Sequence, residues 1–130
     1  MRRDEATDRL LDLAARATAR GELLDLIDTL YVYGAYTAGD ADLDVVEISV
    51  EFTLDEQEHL RFAATFLDEQ RDRRDDLVKA LRGGGAATRA LQIGFEDEPD
   101  LAARGLAPQL FWQRGDSVET ARARLATPAR

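Results

Sequence analysis

Between Leu30 and Val46 the chain reads LYVYGAYTAGDADLDVV. Asp40, Asp42 and Asp44 alternate with Ala41 and Leu43, directly after a turn bracketed by Gly34 and Gly39. In an extended strand alternate side chains share a face, so this spacing predicts three carboxylates projecting on one side, just past a tight loop. Carboxylate oxygens are the ligands of hard divalent cations. A glycine turn lets backbone amides approach a phosphate, because no Cβ stands in the way. The chemistry expected here is a divalent cation held together with a polyphosphate.

Such a cluster needs strands and helices to hold it. Asp4 to Arg20 carries Leu10, Leu11, Leu13, Ala14 and Ala17 at helical spacing, and Gly21 is the expected stop. Thr29 to Tyr33 is β-branched and aromatic and reads as a strand ending at Gly34. Asp42 to Phe52 reads as a second strand, antiparallel to the first across a hairpin. Thr53 with Glu56 matches a capping box, Asp55 is a further N-cap candidate, and a helix is expected from about Asp55 to Leu81. Its apolar stripe, Leu60, Phe62, Ala63, Phe66 and Leu67, gives way to DEQRDRRDD at residues 68–76. That run fits either a solvated helix face or a break between two helices.

Gly83 to Gly85 close the helix. They lack the Gly-Lys-Ser/Thr ending of a P-loop. Thr88 to Phe95 and Leu110 to Gln113 read as third and fourth strands, and Val118 to Leu125 as a terminal helix capped by Asp116 or Ser117. The expected class is α+β, a mixed or antiparallel sheet packed by helices, as a single domain over residues 1–130.

Composition narrows the function. The 130 residues are 45% hydrophobic and 33% charged, the balance of a soluble globular chain. A net charge of −9 argues against binding long nucleic acid. A small anionic ligand held through a metal stays compatible with it, since the metal supplies the positive charge. The absence of cysteine excludes disulfides and thiolate metal sites. No apolar run is long enough to span a membrane, and the first residues carry no signal-peptide core, so a cytoplasmic location is expected.

Residues 30–46 resemble the signature of the minimal nucleotidyltransferases of the DNA-polymerase-β-like superfamily. That signature is an apolar strand, Gly-Ser or Gly-Gly, a second Gly, then Asp-x-Asp before apolar residues. Here Gly34-Ala35 stands at the Gly-Ser position and Gly39 at the second Gly. Either Asp40-Ala41-Asp42 or Asp42-Leu43-Asp44 stands at Asp-x-Asp. The tail LFWQRGDSVETARARL is similar to the C-terminal segment of small actinobacterial nucleotidyltransferase-like proteins.

The resemblance implies a nucleotidyltransferase-like fold and Mg²⁺-dependent transfer of a nucleotidyl group from an NTP to an acceptor. Mg²⁺ ions would lie between Asp40, Asp42 or Asp44 and the triphosphate. Gly34, Ala35 and Gly39 would face the phosphates, and Asp42, common to both Asp-x-Asp pairs, is the expected catalytic residue.

Three departures weaken the match. Ala35 replaces the usual Ser, the loop before the acids is short, and Gln92 stands where a third carboxylate is expected, with Asp44, Glu47, Glu51 and Glu96 as distant substitutes. The alternative is therefore a catalytically degenerate relative acting as a binding or regulatory module with a protein partner. The family's helical toxin-like neighbours extend either reading to a toxin–antitoxin role, with residues 68–76 as a docking face. A third reading is an unrelated α+β domain with an acidic hairpin.

Other residues have structural readings. His59 and Trp112 suit packing or surface roles, and Tyr31, Tyr33 and Tyr36 suit strand packing rather than base stacking. Arg114-Gly115-Asp116 suits a turn and a cap. Phe111-Trp112 on a late edge strand could pair with a second copy of the chain.

Overall fold

The structure, a computed structural model, describes residues 1–21, 23–83 and 90–127. The element order is α1 (Arg3–Ala19), a short 3₁₀ turn at Leu24–Leu26, β1 (Ile27–Tyr33), β2 (Val46–Phe52), α2 (Glu56–Glu69), α3 (Arg73–Arg82), β3 (Leu91–Gly94), α4 (Glu98–Ala103), β4 (Gln109–Gln113) and α5 (Val118–Leu125). The strands form one mixed sheet in the order β3-β2-β1-β4. β1 runs antiparallel to both β2 and β4, and β3 is parallel to β2. The α+β class and the four strands agree with the sequence reading.

Alternation along the strands divides the sheet into two faces. Leu30, Val32, Val46, Ile48, Val50 and Leu91 are buried on one face, in a single cluster with Leu10, Leu13, Leu77, Leu81 and Ala121 of the helices. α1 touches both α3 and α5. Trp112 and Phe111 belong to this core, and the Trp112 indole N–H donates to the Thr18 hydroxyl at 3.0 Å. These aromatics are therefore not available to a second copy, although β4 is an edge strand.

The other face carries Tyr31, Tyr33, Glu47, Ser49, Glu51 and Gln92. It is crossed by the segment around α4, which the sequence reading missed. α4 is only six residues long and carries Pro99 in its first turn, with no apolar periodicity to announce it.

The expected helix over 55–81 is two helices. Gln70 turns left-handed (φ 52°) and ends α2, and the Asp72 carboxylate caps α3 by accepting from the Arg74 amide at 2.9 Å. The cap of α2 is Asp55, which accepts from the Glu58 amide at 2.8 Å, while the Thr53 hydroxyl goes instead to Asp28. Ser117 caps α5. Gly83 closes α3 at φ 72°; Gly84, Gly85 and the first residues of the expected third strand, 88–89, lie outside the described residues.

Candidate functional site

The turn between β1 and β2 is built against the start of the chain. Arg2 forms an antiparallel bridge with Asp42, the Arg3 amide donates to Ala41 at 2.9 Å, and the Leu43 amide donates to Met1 at 2.8 Å. Arg3 also donates to the Tyr36 carbonyl at 2.6 Å, with its guanidinium 4.0 Å from the Tyr36 ring. Tyr36 is buried and its hydroxyl meets Thr7 at 2.8 Å, so it packs apart from Tyr31 and Tyr33.

β2 begins at Val46, not at Asp42. Residues 40–45 form an irregular approach to the strand, because the backbone groups of Ala41 and Leu43 pair with residues 1–3 instead of extending the hairpin. Leu43 points into the core at 2% exposure and fastens this approach, while Asp40, Asp42 and Asp44 are exposed. All three aspartates nevertheless border the same hollow. With Ala35, Leu43, Val45 and Glu47 they line a depression of about 230 Å³. Asp42 also borders a second hollow with Arg2, Arg3 and Gly39. Among the described residues, no three His, Cys, Asp or Glu side chains are grouped so as to hold a metal ion. The donor chemistry suits Mg²⁺, but the spacing does not bring the donors together.

Gly34 is spent internally. It adopts φ 75°, a conformation that favours glycine. Its N–H donates to the Leu106 carbonyl at 3.0 Å, and the Thr37 hydroxyl donates to that same carbonyl at 3.1 Å. The Ala38 amide closes back on the Gly34 carbonyl and the Asp40 amide on Ala35. A Cβ on Gly34 would overlap the Glu47 carboxylate, so that side chain lies directly over the turn. Sequence reasoning named Glu47 only as a substitute ligand. Its true position follows from the β1–β2 register, which sets Tyr33 opposite Glu47, with Gln92 next to Glu47 on β3.

Acids also gather further along this face. Burial, followed by the charges of Glu51 and Glu98, raises the Tyr31 hydroxyl to about 12, and Tyr31 donates to Glu51 at 3.3 Å. Burial and the charges of Glu96 and Glu47 raise Tyr33 as well. Arg104 answers Glu96 at 2.8 Å. Ser49, fully buried, donates to the Glu96 carbonyl and ties the α4 segment to β2.

A larger cavity lies elsewhere, about 570 Å³ between α3 and β3, bordered by Arg74, Lys79, Arg82 and Phe95. Asp72 also lines it, bound to Arg74 at 2.6 Å. Hydrogen bonding to Arg74 holds the Asp72 carboxyl below its usual range.

α2 contrasts with every other long helix. None of its residues is buried. Phe62 stacks on Phe52, centroids 6.1 Å apart, and the Arg73 guanidinium lies 5.4 Å from the centroid of the same Phe62 ring. On the outward side Leu60, Phe66 and Leu67 are 66%, 61% and 74% exposed, and His59 is exposed beside them. The sequence reading marked this stripe but not its surroundings, since periodicity identifies an apolar face without saying what covers it.

No family model matches the chain, and no curated protein or solved structure shows significant similarity to it. No helix among the described residues is long and apolar enough to cross a membrane.

Proposed function

We propose that this chain is a nucleotidyltransferase-like domain that works as a binding module, without efficient nucleotidyl transfer. The observation that carries this reading is the occupied Gly34 turn. Its amide is committed to Leu106 and the Glu47 carboxylate covers it, so a triphosphate arriving there meets a negative charge and no free donor at Gly34. Ala35 and Gln92, in place of a hydroxyl and a third carboxylate, act in the same direction. The depression of about 230 Å³ is also smaller than the roughly 300 Å³ at which small-molecule sites begin. The uncovered apolar face of α2 is open for binding.

A second reading, Mg²⁺-dependent nucleotidyl transfer to an unknown acceptor, is favoured by one feature. Asp40, Asp42, Asp44 and Glu47 line a common depression, where a divalent cation would offset their charge.

Thermal unfolding with each of the four NTPs, with and without Mg²⁺, separates the two. The binding-module reading expects the same midpoint throughout. An Mg²⁺-dependent rise worth about 2.7 kcal/mol at a hundredfold Kd, abolished by Asp42→Asn, would establish the second reading instead.

A further inference from the structure

We infer that the outward face of α2 pairs with α2 of a second copy of this chain, antiparallel and about a two-fold axis at Ala63-Ala64. The inference rests on the binding-module reading and names its partner.

Three large apolar side chains more than half exposed on a helix with no buried residue leave a face that water covers at a cost. The leucines and alanines of that face are symmetric about its midpoint, while Phe66 lies to one side with Arg61 as its counterpart. Leu60 and Leu67, Ala63 and Ala64, and Glu56 and Arg71 are equidistant from the same midpoint. A two-fold interface requires this property, because residue i must meet residue j while j meets i. In an antiparallel pair Leu60 falls opposite Leu67 of the other copy. The two alanines sit at the crossing, where small side chains permit close approach of the axes.

Charge favours the same arrangement. Glu56 at the start of each α2 comes level with Arg71, just past the end of the other. Arg71 is half exposed while serving Glu69 and Asp76, at 3.3 and 3.1 Å. The mirror pair of like charge, Glu58 and Glu69, is relieved on one side because Glu58 is already bound to Arg61 at 2.9 Å.

A 14-residue helix is about 21 Å long, so the contact covers on the order of 400 Å² per copy, about half of a standard interface. Association is therefore expected to be weak and dependent on concentration, with a dissociation constant on the order of 100 µM.

Sedimentation equilibrium of the full chain, from about 10 µM to about 1 mM, tests this around that constant. The expected mass rises from 14.5 kDa toward twice that value. Leu67→Glu should raise the dissociation constant about tenfold or more while leaving the unfolding midpoint unchanged, since the side chain is 74% exposed. Glu56→Arg should weaken association, and adding Arg71→Glu should restore it. A merely structural role for either residue would not produce that rescue.

A mass of 14.5 kDa across the whole range overturns the proposal and leaves the stripe to a chain of different sequence. Association that Leu67→Glu does not weaken overturns it too. Failure of the binding-module reading is read separately, as an Mg²⁺-dependent nucleotide shift, which does not depend on the mass.

Discussion

The acidic depression after β1 and the outer face of α2 are both places where the chain departs from a simple packed domain, in opposite ways. At the depression the Gly34 amide and the backbone of the aspartate segment are already satisfied from within. Gly34 has Leu106 and Glu47, and the aspartate segment has residues 1–3. At α2 the helix is well formed and well capped, yet its outward side chains Leu60, Phe66 and Leu67 stay exposed among the described residues. Polar groups closed inside a structure stop being available to ligands, whereas an apolar face left open is a surface in want of one.

Substitutions can break or sharpen this contrast. Leu43→Ala should have the largest effect, about 2–5 kcal/mol of lost stability in denaturant titration, since it empties a core position and frees the aspartates it anchors. Gly34→Ala should cost about 1–3 kcal/mol, from the left-handed backbone and from displacing Glu47. A neutral result there would mean that Glu47 does not occupy the turn.

Phe62→Ala removes the stacking that holds α2 to Phe52, at about 0.5–1.5 kcal/mol. Amide exchange should then accelerate in α2 before it does in the sheet.

Tyr31 gives a test in pH. Its folded pKa, about 12, stands above the ordinary value of 10.0. The stability linked to its neutral form is therefore intact below pH 10 and is lost as pH rises toward 12. The unfolding midpoint should fall over that range, and Tyr31→Phe should flatten the fall.

The smallest effect is expected at Leu67→Ala, within about 0.5 kcal/mol, because the side chain is 74% exposed. The contrast of this leucine with Leu43 is the direct measure of the difference between the two regions.

The sequence by itself determined the α+β class, the four strands, α1 and the terminal helix Val118–Leu125, because alternation and helical spacing are local properties that burial of one face imposes on neighbouring residues. It also located the aspartates beside Ala35. The break at Gln70 was visible only as one of two readings of a charged run, and α4 was too short and aperiodic to be seen.

Tertiary structure alone decided the rest. Whether Asp42 starts a strand depends on pairing with residues 1–3, some 40 positions away. Whether Gly34 is free depends on Glu47 and Leu106, which reach it through strand register and a distant loop. Whether the stripe on α2 is core or surface depends on which elements fill the sheet's apolar face, and α1, α3 and α5 fill it first. These are properties of contacts between segments far apart in the chain, and no local pattern of residue types records them.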